Sequence, residues 1–207
     1  MQLSYNLVYT VCVLLSFCHG KKTVMKPYKN DMEMAVKMLL SDKFLIVSRA
    51  VYNQPNHPRC VCSRLTSVSG LKYHHNLTYT DVDMKVQPAP AKRVYRDTFY
   101  QVKQQDSALL FLVNAYIGNQ KEDNKISGVF KVFYANKECF VTGTIQSGNP
   151  SCLLWRRPHA REKHRRLCRA AFKNNCRKHG RYVFVFTKDA CLKKFTKQSS
   201  PLGQVVN

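Results

Sequence analysis

The order of apolar and polar positions predicts a chain built mainly of antiparallel strands. Runs rich in β-branched and aromatic residues alternate with turn formers such as Ser69-Gly70, a pattern typical of strands joined by tight turns. The predicted strands lie at about 43–52, 58–68, 71–80, 94–103, 107–117, 126–135, 138–145 and 151–156. Strands at this spacing indicate a closed antiparallel sheet.

A short helix precedes the predicted sheet, and a second helix and a last strand follow it. Residues 31–40 have the spacing of an amphipathic helix in which Met34, Met38 and Leu39 share one side. Residues 159–178 favour the second helix, and residues 181–187 the final strand. The chain is therefore predicted to be all-β, with one helix before the strands of the sheet and one after them in the sequence.

The second helix carries two different faces. Cys168, Phe172 and Cys176 are four residues apart, so a helix places them on one face, where two sulfur atoms can fix it to another element. A second stripe at the same spacing is cationic. It consists of Arg165, Arg169, Lys173 and Arg177.

The N-terminal residues predict a secreted protein. Residues 1–20 contain no charged side chain and include an apolar run at 8–17, which indicates a signal peptide and leaves 21–207 as a single domain. This run is too short to span a membrane, although a membrane anchor is the alternative interpretation. Asn76-Leu77-Thr78 is a glycosylation sequon, which predicts a surface position unless the sequon is unused.

Cysteine usage agrees with an oxidising compartment. Without Cys12 and Cys18 of the predicted signal peptide, seven cysteines remain, so one thiol is left over from a disulfide framework. A zinc site is not indicated, because Cys60-x-Cys62 has the wrong spacing and no matching Cys or His pair follows. No metal or cofactor is predicted.

The strongly positive net charge of the chain indicates an anionic partner. The chain has 34 Lys and Arg against 12 Asp and Glu, a formal net charge of +22. Residues 156–181 alone contain eleven Lys and Arg and one acid, Glu162. The cationic stripe therefore predicts a site for heparan sulfate or another polyanion, and a merely solvated face is the alternative. We expect a monomer without a specific nucleic-acid partner.

Several motifs in order resemble the tick salivary lipocalins of the histamine-binding type. They are Cys60 or Cys62 on the second strand, Cys139 after Tyr134-Ala-Asn-Lys-Glu, Leu154-Trp155, Cys168 and Asp189-Ala-Cys191. The resemblance covers nearly all of residues 21–207. It implies an eight-stranded lipocalin barrel with a disulfide-clamped C-terminal helix. It also implies a non-enzymatic scavenger of histamine, serotonin or eicosanoids, and some members bind complement proteins.

The resemblance also implies a set of disulfides. Cys139 would pair with Cys168, and Cys152 would then pair with Cys176. Cys191 would pair with Cys60 or Cys62, leaving the other as the free thiol.

The same resemblance, combined with strand alternation, predicts which side chains line a cavity. If Leu153 points inward, alternate positions on its strand and on the sixth strand do so too, and Tyr116 faces inward by resemblance. The predicted cavity residues are Tyr100, Asn114, Tyr116, Phe130, Tyr134, Leu153 and Trp155. The alternative is that these aromatic side chains only fill a core.

Two positions in the predicted cavity depart from the amine-binding pattern. Leu153 and Phe130 stand where amine-binding members are expected to carry acids, and a buried ammonium group needs a carboxylate. We therefore expect an amphiphilic anion such as a leukotriene to be preferred to histamine or serotonin. The alternatives are an amine binder, or a heparin-binding, anti-haemostatic or complement-interacting protein. A secreted ribonuclease is disfavoured, since no histidine lies in a recognisable motif.

Overall fold

The computed structural model describes residues 28–52, 57–82, 91–118, 121–144, 151–177, 181–186 and 191. The predicted signal peptide at 1–20 and the predicted loop around Pro88 and Pro90 lie outside these residues. The helices are α1 (Lys29–Leu40) and α2 (Glu162–Cys176). The strands are β1 (Phe44–Tyr52), β2 (Arg59–Ser69), β3 (Lys72–Val82), β4 (Ala91–Gln105), β5 (Ala108–Ile117), β6 (Lys121–Glu122), β7 (Gly128–Asn136), β8 (Cys139–Thr144), β9 (Cys152–Arg156) and β10 (Arg181–Phe184).

Eight of these strands close into an antiparallel barrel. The order is β1-β2-β3-β4-β5-β7-β8-β9, and β9 pairs back onto β1. The eight predicted strands correspond to these eight, so the predicted fold class is confirmed. Closure leaves no free edge along this ring, which removes the main route to edge-to-edge aggregation.

Two short strands lie off the ring. β6 pairs with the end of β5. β10 pairs with β1 through Arg49–Tyr52, where β1 no longer pairs with β2. The C-terminal strand thus covers the part of β1 that β2 leaves unpaired.

Helix α1 packs into the barrel core through a stripe that differs from the predicted one. Val36, Leu39 and Leu40 are fully buried in the main apolar cluster. Met34 and Met38 are exposed, so the prediction that they share the buried side with Leu39 was wrong. Residues 36, 39 and 40 lie three to four apart on one face, whereas positions 34 and 38 are turned about 200° from residue 36.

Helix α2 packs on the outside of the barrel and is fixed there by two disulfides. Cys168, Phe172 and Cys176 are its buried residues. Cys168 bonds to Cys139 and Cys176 bonds to Cys152, so both pairs expected from the resemblance are confirmed. The clamp therefore joins α2 to β8 and β9.

A third disulfide ties the C-terminal segment to β2. Cys60 bonds to Cys191, and Cys62 is free and buried. Both β2 cysteines lie in one outer cluster with Phe186, while Val61 between them belongs to the core. In the chain-entropy model, closing a loop of 131 residues contributes roughly 5 kcal/mol.

Candidate functional site

The barrel interior is filled largely by aromatic rings. Trp155 stacks on Phe140 with ring centroids 5.8 Å apart, and Tyr100 packs against Phe111 at 5.2 Å. Phe111 also contacts Phe130 and Trp155 edge-on or at a tilt. Inward positions of β4, β5, β7, β8 and β9 thus converge on one aromatic cluster.

A cavity of about 60 Å³ remains beside this cluster. Four predicted cavity residues line it: Tyr100, Phe130, Leu153 and Trp155. The other lining residues are Val47, Tyr52, Pro58, Val61, Leu77, Val113, Lys125, Ile126 and Ser151. Within the described residues this lining contains one cation and no carboxylate.

A buried chain of hydrogen bonds supports the cavity wall behind Tyr100. The Tyr100 hydroxyl lies 3.0 Å from Ser63 Oγ, which lies 3.0 Å from His75 Nδ1. His75 Nε2 lies 2.8 Å from the Leu40 carbonyl oxygen. Tyr100, Ser63 and His75 have no exposed surface, so the chain joins the barrel wall to α1 without water contact.

Burial fixes the direction of the hydrogen bonds that connect Tyr100, Ser63 and His75. It lowers the pKa of His75 to about 4, with His74 adding a smaller effect of the same sign, so the imidazole is neutral near pH 7. Neutral His75 then donates from Nε2 to Leu40 and accepts at Nδ1 from Ser63, whose oxygen accepts from Tyr100. Burial also raises the pKa of Tyr100, which keeps its phenol protonated.

A second polar cluster surrounds the buried carboxylate of Asp123. Asp123 is buried, and its Oδ2 accepts from Arg96 Nε at 2.5 Å. Its Oδ1 accepts from the Lys125 backbone N–H at 3.0 Å. Burial, with the negative charge of Asp123 contributing, raises the pKa of Tyr79 to about 12, and its hydroxyl lies 3.4 Å from the same carboxylate. Both carboxylate oxygens are therefore already engaged.

Two predicted cavity residues lie on the outer face of β5. Phe111 and Val113 point into the core cluster, so the alternate positions Asn114 and Tyr116 point outward. Tyr116 packs edge-on against Phe99 with centroids 6.1 Å apart, and Asn114 donates to Glu122. The inward placement that the resemblance implied for these two residues was wrong, because the inward positions of β5 are the odd-numbered ones.

A third predicted cavity residue, Tyr134, lies outside because β7 contains a bulge. The register with β8 shifts between Val132 and Tyr134, so one extra residue, Phe133, reverses the alternation. Val132 lies in the core, whereas Tyr134 packs under α2. Gly143 on β8 leaves room for the Phe133 ring, since a Cβ there would lie 2.5 Å from that ring and 3.3 Å from Cys152 Sγ.

Residues 23–193 match the family model of the tick histamine binding proteins. The chain belongs to this family. The resemblance seen in its cysteine and Leu-Trp motifs is thereby confirmed. No curated protein matches the chain significantly.

Solved structures share the fold of this family member at low sequence identity. Lobster apocrustacyanin A1 is 12% identical, with a TM-score of 0.50 over 82% of this chain and 91% of its own, and apocrustacyanin C1 gives the same values. Japanin from Rhipicephalus appendiculatus, solved bound to cholesterol, is 16% identical, with a TM-score of 0.49 over 73% of this chain and 97% of its own. The crustacyanin likeness shows the fold alone.

In this histamine-binding family member, the predicted cationic stripe runs along α2. Arg165 and Arg169 both pair with Glu162 one to two turns away, whereas Lys173 and Arg177 are exposed. Asn76 of the predicted glycosylation sequon is exposed on β3. In the described part of the chain, no helix is long and apolar enough to cross a membrane.

Ser63 and His75 are the site residues that sequence reasoning missed. His75 stands two positions from Tyr73 and Leu77, both of which are buried in the core, so strand alternation already marks it as an inward histidine. Ser63 likewise stands two positions from the core residue Val61, but small polar residues are also common on exposed strands, so alternation alone does not identify it.

Proposed function

We propose that this chain is a secreted, non-enzymatic scavenger that holds a small host mediator inside the barrel. We infer that it prefers an amphiphilic anion such as a leukotriene over histamine or serotonin. Such a ligand would place its apolar tail among the aromatic side chains and its carboxylate at Lys125.

The charge of the cavity lining is the observation that carries this proposal. Lys125 is the lining cation, and its Nζ lies 3.0 Å from Asp81 at an exposed position. A ligand carboxylate would replace Asp81 as the partner of Lys125 at small cost, because one anion is exchanged for another. An ammonium ligand would find no carboxylate among the described lining residues, and the buried carboxylate of Asp123 outside that lining is already bonded to Arg96.

The size of the cavity favours an amine, whereas its charge favours an amphiphilic anion. The free energies of the two effects decide between them. A volume of about 60 Å³ is below the roughly 300–1,000 Å³ of drug-sized pockets, so a leukotriene requires aromatic side chains to move aside. An off-rotamer side chain costs about 0.5–1.5 kcal/mol, and the ligand refills the space. Burying an unpaired ammonium group costs several kcal/mol, so charge outweighs size.

A biogenic amine is the second candidate, and the family itself favours it. Its smaller volume suits the cavity better, but it requires an acid that the described lining does not contain. Restoring an acid tests this directly. Leu153→Glu should raise histamine affinity, because residue 153 lines the cavity.

The absence of catalysis is part of the proposal. A ribonuclease-like site needs two histidines facing one substrate. His74 and His75 are adjacent on β3 and point to opposite faces, and His75 has both ring nitrogens in hydrogen bonds. Three disulfides support an oxidising compartment, in line with removal of residues 1–20 as a signal peptide and a single domain over 21–207.

Calorimetric titration with a leukotriene, histamine and serotonin tests the ligand class. We expect the leukotriene to bind more tightly than either amine, and Lys125→Gln to weaken it about tenfold, equivalent to about 1.4 kcal/mol. Lys121→Gln is the matched control, because Lys121 is exposed on β6 and does not line the cavity.

Histamine binding at micromolar or tighter affinity, with no leukotriene signal, would refute the preferred ligand and favour the amine. Equal losses of leukotriene affinity for Lys125→Gln and Lys121→Gln would show that the ligand responds only to the net charge of the protein. No change in amine affinity for Leu153→Glu would contradict its place at the ligand.

A further inference from the structure

A groove runs between α2 and the outer wall of the barrel formed by β1 and β9. It has an inner chamber of about 100 Å³ and an outer chamber of about 470 Å³. The cations of the inner chamber are Arg49, Arg156, Arg165 and Arg169. The cations of the outer chamber are Arg49, Arg169, Lys173 and Arg177. We call the two chambers together the basic groove.

The basic groove has cations on both walls, which a solvated helix face would not require. Arg49 on β1 and Arg156 on β9 belong to the barrel. Arg165, Arg169 and Lys173 belong to α2, and Arg177 is the residue that caps its C-terminal end. The Cys139–Cys168 disulfide lines the inner chamber and joins α2 to β8, the strand next to β9 in the barrel wall. The spacing of the cations is therefore set by the covalent clamp.

Among the described residues, little negative charge lies near the basic groove. Glu162 pairs with Arg165 and with Arg169, but no carboxylate lines either chamber within the described residues. Arg156 is half-buried, and its Nη1 is fixed by the carbonyls of Arg157 and Pro158 at 2.8 and 2.7 Å. Burial, reinforced by Arg165 and Arg169, lowers the pKa of Arg156 to about 10, so it stays protonated among other cations.

We propose that the basic groove binds a sulfated polysaccharide chain of the heparan sulfate type. One sulfate ester occupies the inner chamber, where guanidinium groups from both walls donate to its oxygens. Further sulfates follow the exposed end of α2 along Lys173 and Arg177. This binding is separate from ligand binding inside the barrel.

The number and position of the cations favour a polysaccharide over a lipid surface. Among the described residues, six cations and no carboxylate line the basic groove, which is more positive charge than one lipid headgroup can neutralise. Arg156 is recessed between the walls, where a sulfate on a flexible chain reaches it but the plane of a bilayer does not. From residue 165 to 177 the row spans about 18 Å at 1.5 Å per residue, long enough for several sulfated sugars.

Elution from immobilised heparin, with calorimetry of a heparin oligosaccharide, tests the proposal. The groove variant is Arg49→Gln with Lys173→Gln, one cation from each wall. The control is Lys163→Gln with Arg166→Gln, which removes the same charge from exposed positions of α2 outside the groove. A second groove variant, Lys173→Gln with Arg177→Gln, changes only exposed positions and so avoids any folding defect.

We expect both groove variants to elute at lower salt, to bind the oligosaccharide at least tenfold more weakly and to show a smaller salt dependence. The control should stay within about twofold of the parent protein. Equal losses in the groove and control variants would overturn the site in favour of nonspecific attraction by the net charge. Unchanged binding in the groove variants would overturn it outright. Tighter, groove-dependent binding to phosphatidylserine vesicles than to heparin would assign the groove to membranes instead.

Discussion

Acidification should weaken this barrel through one buried histidine. His75 is neutral in the folded chain because burial lowers its pKa from 6.5 to about 4. Protonation would turn Nδ1 from an acceptor into a donor, so the Ser63 and Tyr100 hydroxyl groups would have to reverse. The unfolded chain has no such restriction and takes up the proton near pH 6.5.

The sign and size of the effect follow from this difference. Because the folded pKa is depressed, the unfolded state binds more protons between about pH 6.5 and 4, and stability falls as pH is lowered through that window. The full difference corresponds to about 3 kcal/mol, of which about 2 kcal/mol is lost between pH 7.5 and 5. That is a large part of a typical stability of about 5–15 kcal/mol.

Urea denaturation at pH 7.5 and pH 5 measures this loss. The His75→Gln variant removes the titration, so its stability should fall by about 2 kcal/mol less than that of the parent protein over the same interval. His159→Gln, at an exposed position, should fall as the parent does. Equal falls for the parent protein and His75→Gln would refute the assignment of this pH dependence to His75.

Two further predictions concern Cys62 and Asn76. Burial raises the pKa of the Cys62 thiol, so iodoacetamide should label it after denaturation but not in the native protein, as mass spectrometry would show; full native labelling would contradict its buried position. Asn76 is exposed, so protein secreted from eukaryotic cells should lose mass on glycosidase treatment, and Asn76→Gln should abolish that loss. Secretion of an unglycosylated parent protein would show the sequon to be unused.

The strands were predictable because each has a strong local signal. β-branched and aromatic runs bounded by turn formers placed all eight barrel strands within a few residues of their observed ends. β6 escaped prediction, since Lys121–Glu122 is two charged residues whose pairing depends on the end of β5. Contacts with distant residues, rather than local preference, create such a strand.

Side-chain direction was predictable only where alternation is unbroken. Leu153 and Trp155 lie on a regular strand, and both line the cavity. Tyr134 follows a bulge that one glycine on the neighbouring strand accommodates, and sequence alternation has no means of detecting it. Alternation likewise does not choose between Cys60 and Cys62, because residues two apart share a face.

The basic groove shows a different kind of limit. The helical spacing of Arg165, Arg169 and Lys173 was visible in the sequence, but the facing cations come from strands more than a hundred residues away in one case. Arg49 becomes their neighbour only because α2 packs across β7, β8 and β9 and β9 pairs with β1. The sequence therefore predicted only the helical wall of the basic groove, and the barrel wall required the fold.

The three disulfides overlap along the chain in a way that bears on survival among proteases. Cys60–Cys191 encloses both other bridges, and Cys139–Cys168 interlaces with Cys152–Cys176. A single backbone cut anywhere between residues 60 and 191 therefore leaves two fragments covalently joined. All three disulfides bridge a cut between residues 152 and 168, so the two fragments produced there stay joined by three bonds. In a protease-rich medium, such a molecule loses a peptide bond without releasing a fragment.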